Sequence, residues 1–139
     1  PDVTQKDKKV VEEILGMVGS FLEVEEKYMD AITGLSGSAP AYLSTMIEAL
    51  VYAGLKVGLP RNIALFSSAQ AMIGMGRLVL ETEKHPAEIR DMVITPAGVT
   101  IQGLYELENI AIRPALMKAV EATTIRAREI TKSLTEKQP

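Results

Sequence analysis

The sequence predicts a mainly α fold, in which a bundle of helices follows a short helix–strand stub. Three observations predict it. From Glu26 to the C-terminal end, apolar residues recur at helical spacing with only loops between them. Ahead of that, residues 20–25 alternate, with Leu22 and Val24 facing one way and Phe21, Glu23 and Glu25 the other, the period of a strand. Charge is also uneven along the 139 residues: residues 31–80 carry only Glu48, Lys56, Arg61 and Arg77, and 29 of those 50 are apolar. Helices that bare need a cover beyond their own chain.

Thr4 is placed to cap a helix over about residues 5–17, where Val10, Val11, Ile14, Leu15 and Val18 share a face. The strand of residues 20–25 follows; one strand cannot satisfy its own backbone, so the stub needs a partner sheet. Glu26 to Ile32 reads as a short helix stopped by the Gly34–Ala39 stretch, whose glycines and serines permit turns. Pro40 opens a helix to Val57, ended by Gly58 and Pro60, and Pro60 opens another to about Glu81. In that helix Ala64, Ser67, Ala71 and Gly74 form one smooth face suited to close approach. Gly74 and Gly76 each cost it roughly 1 kcal/mol relative to alanine. His85 and Pro86 begin a helical turn to Met92, Thr95 to Val99 is a loop, and Thr100 to Asn109 is helical. Pro114 opens the last helix, with Leu116, Val120, Thr123, Ala127, Ile130 and Leu134 as its seam and Lys132 and Lys137 at its negative pole.

Composition excludes several classes. The net charge is −3, and no stretch concentrates Lys or Arg without acids between, so a nucleic-acid footprint is unsupported. With no cysteine and one histidine, disulfides, thiolate nucleophiles and the usual zinc clusters are absent, and a reducing, cytosolic setting is expected. No run of 18 uncharged apolar residues suggests a membrane span, and the polar start PDVTQKDKK has no signal-peptide core. The chain reads as a piece of a longer one.

One stretch looks built for a ligand: Thr95-Pro96-Ala97-Gly98-Val99-Thr100, a hydroxyl-bearing loop running into a helix N-terminus. First-turn amides there lack intrahelical acceptors, the dipole favours an anion, and Gly98 admits close approach, which together suit a carboxylate. An ordinary capping threonine beside a proline turn explains the same residues. Ser36-Gly37-Ser38 reads either as a glycine-flanked nucleophile or as an interhelical packing turn, and the absence of a base favours the turn. His85 reads as a helix cap or as a proton carrier. Glu81 and Glu83 form a solvated helix end.

From Lys27 to Leu134 the chain resembles the C-terminal helical domain of pyrroline-5-carboxylate reductase. Three motifs carry the likeness: Gly34-Leu35-Ser36-Gly37-Ser38-Ala39-Pro40-Ala41-Tyr42, then Ala53-Gly54-Leu55-Lys56-Val57-Gly58-Leu59-Pro60-Arg61, then His85-Pro86 through Asp91 to Thr95–Thr100. The resemblance implies a reductase that uses NADPH or NADH (NADP or NAD as cofactor) to reduce 1-pyrroline-5-carboxylate to L-proline. It implies a helical bundle that interlocks with its twin as a homodimer, often further assembled to a decamer, and preceded by a Rossmann domain. Residues 1–26 would then be a helix–strand remnant of that Rossmann domain and residues 27–139 the dimerisation and substrate-binding domain. No cofactor binding is expected of this chain alone, which lacks the glycine-rich turn.

On the same resemblance, Thr95, Pro96, Ala97, Gly98, Val99 and Thr100 bind the imino acid. Its carboxylate takes loop amides and the Thr95 hydroxyl, Thr100 faces the ring nitrogen as the catalytic residue, and Glu83 joins the proton path. Two departures stand out: Ala97 and Ala39 replace glycines common in the family. If Ala97 needs φ > 0, its methyl costs about 1 kcal/mol. The competing readings are a non-catalytic helical oligomerisation module and the helical domain of another imine or β-hydroxyacid reductase.

Overall fold

A computed structural model describes residues 3–136. Among them run seven α-helices: α1 (Gln5–Gly16), α2 (Met29–Ile32), α3 (Ala39–Lys56), α4 (Arg61–Thr82), α5 (Pro86–Met92), α6 (Val99–Asn109) and α7 (Ile112–Thr135). Helix α1 begins where a reciprocal cap allows it. The Asp7 amide donates to Thr4 Oγ1 (3.3 Å) and the Thr4 amide to Asp7 Oδ2 (2.9 Å), which satisfies two donors that the helix itself leaves free. These bonds from Thr4 hold the Asp7 carboxyl below its ordinary range.

The expected strand is not formed. Residues 20–25 have no ladder, and no strand occurs among the described residues. The alternation is real, but a strand exists only with a neighbour to take its amides and carbonyls, and none is present to do so. Lys8 of α1 pairs with Glu23, and that ion pair ties the segment back to the helix.

The Gly34–Ala39 stretch does not stop the helix either. A 3₁₀ turn (Glu26–Tyr28), α2, a π-helical turn (Thr33–Gly37) and α3 follow almost without a break. The cause is the crossing with α7. Gly34 is buried, and a Cβ on it would lie 2.8 Å from the Thr124 backbone nitrogen and closer still to Thr124 Oγ1. Thr123 Oγ1 donates to the Gly34 carbonyl (3.1 Å) and lies 2.9 Å from Tyr42 Oη. A widened turn frees that carbonyl to be reached from outside the helix. The hydroxyls of Ser36 and Ser38 donate to the Ile32 and Thr33 carbonyls, so both are spent on the backbone of their own helical run.

Helices α3 and α4 form an antiparallel hairpin. Gly58, at φ 94°, lets its own amide reach the Leu55 carbonyl (3.0 Å) and the Leu59 amide reach that of Gly54 (2.9 Å), a Schellman end. Gly54 then meets α4 without a side chain between, since a Cβ there would stand 2.8 Å from Ala64 Cβ. Only the Ala64 end of the small-residue face is used. Ser67, Ala71 and Gly74 are exposed, and neither Gly74 nor Gly76 has a neighbour within 4 Å of where a Cβ would be. The expected close crossing at those two glycines is therefore not made among the described residues. Helix α4 is also long and apolar enough to cross a membrane by length and composition alone, with Arg77 inside it.

Helix α7 starts at Ile112, two residues before Pro114, which sits in the first turn where a missing amide hydrogen costs nothing. The first four seam residues, Leu116, Val120, Thr123 and Ala127, are half-buried, while Ile130 and Leu134 stay exposed. Thr131 Oγ1 donates to Asp30 Oδ1 (2.9 Å) and ties α7 to α2. Lys132 reaches Glu136 at the end of α7. Lys137 lies outside the described residues, as do Pro1 and Asp2 of the expected remnant.

The core is minimal. Val51, Ala64 and Ile89 are the buried apolar side chains among the described residues. The chain exposes 11634 Å², whereas a compact protein of about 15 kDa exposes about 7,000 Å². The sequence-level deficit of charge in residues 31–80 thus reappears as bare surface: Phe66 is 71% exposed and Leu80 80%.

Candidate functional site

The loop between α5 and α6 is assembled by local rules. Pro86 occupies the first position of α5, where its fixed φ suits the helix, and His85 caps it: the Ala87 amide donates to His85 Nδ1 at 3.2 Å. The capping reading of His85 is the one the structure carries. Helix α5 closes with the Val93 amide on the Arg90 carbonyl (3.2 Å) and the Ile94 amide on that of Asp91 (3.3 Å). Arg90 grips Asp91 Oδ1 through both Nε (2.9 Å) and Nη2 (2.8 Å).

Thr95-Pro96-Ala97-Gly98 then forms a β-turn in which the Gly98 amide donates to the Thr95 carbonyl (2.9 Å). Ala97 has φ 56° at its third position, the left-handed conformation that marks a type II turn and usually selects glycine. The condition set for Ala97 is thereby met, and its methyl costs about 1 kcal/mol.

Gly98 is the N-cap of α6, at φ −73° and ψ 168°, and no side chain caps the helix. The amides of its first turn are left for an external acceptor, beside the positive end of the dipole. Thr95 stands against this end. A Cβ on Gly98 would be 3.0 Å from the Thr95 carbonyl oxygen and closer still to Thr95 Oγ1, so glycine is what lets the hydroxyl lie against the cap. Thr100, in the first turn of α6, is half-buried; Thr95, Pro96, Ala97 and Val99 are exposed. Six residues expected together from sequence are thus together, as one turn and one helix start.

Glu83 is placed differently. It ends α4 in a left-handed conformation (φ 53°) and is exposed. The shallow groove flanking the loop, about 400 Å³, is lined by Ile94, Ile101, Leu104 and Tyr105 with Arg90, Asp91 and Glu108 at its margin. Sequence reading missed the Tyr42–Thr123–Gly34 knot as a unit. Its one visible signal was Thr123, a polar residue in an otherwise apolar seam. No group of three or more His, Asp or Glu that could hold a metal occurs among the described residues.

Comparison with known proteins gives a consistent result. Residues 26–130 match the family model described as pyrroline-5-carboxylate reductase dimerisation. A pyrroline-5-carboxylate reductase of Glycine max is 45% identical over 127 residues, covering 91% of this chain and 46% of the relative. The human pyrroline-5-carboxylate reductase 2 is 44% identical over 125 residues, covering 90% and 39% respectively. Among solved structures, a Plasmodium falciparum pyrroline carboxylate reductase with NADP bound superposes with a TM-score of 0.85 at 34% identity, over 92% of this chain and 52% of that one. The chain spans about half the length of the relatives it matches.

Proposed function

Because the chain belongs to the pyrroline-5-carboxylate reductase dimerisation family, we propose that it is the dimerisation and imino-acid-binding part of a reductase that converts 1-pyrroline-5-carboxylate to L-proline. The observation that supports this most is the uncapped α6 N-terminus opening from the Thr95–Gly98 turn. A carboxylate seated there accepts from the free first-turn amides and from the Thr95 hydroxyl. Each such charge-assisted bond contributes about 1.5–3 kcal/mol. The ring of the imino acid is then held beside the Thr100 hydroxyl, which orients the imine nitrogen and supplies or stabilises its proton. Glu83 belongs to the proton path in this reading.

NADPH or NADH supplies the hydride when bound. The glycine-rich turn that seats a dinucleotide is assigned, in this reading, to the Rossmann domain and not to this chain. What this chain's residues do is bind the imino acid, turn it, and hold a proton at its nitrogen. Residues 1–26 are read as the end of a Rossmann domain and 27–139 as the helical domain. The cysteine-free composition fits the cytoplasmic setting expected from sequence.

A second copy is the cover that the bare helices need, and α4 then packs on protein and not on lipid. About 4,600 Å² of surface per chain beyond that of a compact chain supports this, since an obligate interface of about 2,000 Å² or more, summed over both partners, needs only part of it. Further assembly towards a decamer belongs to the same reading. In the full-length protein, Thr100→Ala is expected to cut turnover and leave the mass by light scattering unchanged. Unaltered turnover would remove the site and leave an oligomerisation module; a monomer of the wild-type chain would remove the dimer.

A further inference from the structure

The geometry points to His85 as a positioning residue for the Thr95–Thr100 loop, a role that rests on the functional reading above. Between α4 and α6 the chain buries one side chain, Ile89. Hydrophobic anchorage of this segment is therefore thin, and its course is set by hydrogen bonds. Those at Glu88, Val93, Ile94 and Gly98 run from backbone to backbone. The bond from the Ala87 amide to His85 Nδ1 is made to a side chain, so a substitution can remove it without touching the main chain. It also comes at the sensitive place. Pro86 has no amide hydrogen, so Ala87 is the first residue of α5 whose amide needs an acceptor.

Nδ1 accepts only when it carries no proton, which leaves the ring hydrogen on Nε2. Charges of both signs surround it. Glu83 and Lys84 precede it and Glu88 lies on α5, while Arg90 and Arg113 line the same open cleft as His85. Both guanidiniums already hold carboxylates, Arg90 that of Asp91 and Arg113 that of Glu108. A proton on His85 removes the acceptor and adds a third cation to that cleft. The first turn of α5 loosens, and the loop that starts three residues after α5 ends loses its fixed approach to α6.

The test uses full-length His85→Ala, His85→Asn and Thr100→Ala, with KM for imino acid and for cofactor measured from about pH 8 to about pH 5.5, the interval in which imidazoles change charge. Asparagine keeps an acceptor at the cap and does not titrate. His85→Ala is expected to raise the imino-acid KM roughly three- to tenfold, with cofactor KM unchanged. His85→Asn restores it, and the wild-type imino-acid KM climbs towards acid relative to the asparagine variant. An alanine variant at the parent KM, or an asparagine variant with the wild-type pH profile, overturns the role. If the alanine variant does not fold, the comparison of wild type with His85→Asn still decides. Thr100→Ala separates the two claims: if it is impaired while His85→Ala is silent, the site stands and the positioning role falls. If it is silent, the functional reading falls, and hydrogen exchange over residues 86–100 decides the cap, an unchanged rate in His85→Ala overturning it.

Discussion

Gly98→Ala perturbs the loop by one methyl whose neighbours are known. The added Cβ would stand 3.0 Å from the Thr95 carbonyl oxygen and nearer still to Thr95 Oγ1. The backbone at Gly98, φ −73° and ψ 168°, suits any residue, so the whole penalty is contact. The carbonyl is held by the turn, which leaves the Thr95 side chain to move, and its hydroxyl swings away from the α6 N-terminus. If the imino-acid carboxylate uses that hydroxyl, one charge-assisted bond worth about 1.5–3 kcal/mol is lost, or about 10- to 150-fold in affinity. The assay is steady-state KM for imino acid and for NADPH on the full-length protein. The first should rise by that factor and the second should not. Thr95→Ala should give a similar rise, and the double variant little more than either, since both remove the same bond. An imino-acid KM within twofold of wild type, in a variant of normal mass, would refute the placement of the carboxylate.

Ala97→Gly relieves a left-handed alanine worth about 1–2 kcal/mol but restores freedom to the unfolded chain worth about 0.4–1 kcal/mol, so a gain of at most about 1.5 kcal/mol is expected by urea unfolding. A clear loss of stability would mean that the turn is not strained at this position. Gly34→Ala forces α7 away from the π-helical turn, and overpacking of this kind costs about 1–3 kcal/mol; a melting temperature equal to wild type would contradict the crossing. Asp7 gives a pH effect of known sign. Its carboxyl is lowered by the Thr4 bonds, so the stability it lends α1 is complete above the unfolded value of about 4 and is lost as pH falls through the lower folded value. Helicity of α1 should fray over that acid window in the wild type and show no such step in Asp7→Asn.

Punctuation residues made much of this fold legible. Pro40, Gly58, Pro60 and Pro86 act at the positions where a ring or a missing Cβ has few alternatives, and helices α3, α4 and α5 begin or end beside them. The loop at 95–100 was legible for the same reason, since hydroxyl, proline and glycine before a helical run have few ways to fold. Two elements were misjudged because their state depends on partners distant in sequence. Residues 20–25 have strand periodicity but no second strand among the described residues, and local pattern does not say whether one is present. The Gly34–Ala39 stretch has the composition of a loop, yet contact with Thr123 and Thr124, about 90 residues on, makes it a helical turn. The small face of α4 shows the reverse case. Its residues do share a face, but only Ala64 is covered by another helix, and the spacing alone does not say what, if anything, meets the rest.

With three buried apolar side chains among the described residues, a protomer of the proposed dimer would have little one-copy native state to fall back on. Acquiring structure and finding a twin would then be a single bimolecular event, its rate growing with the square of chain concentration and its midpoint of denaturation climbing on concentrating the sample. Exchange of protomers between such assemblies would have to pass through unravelled chains, and be as slow as denaturation itself.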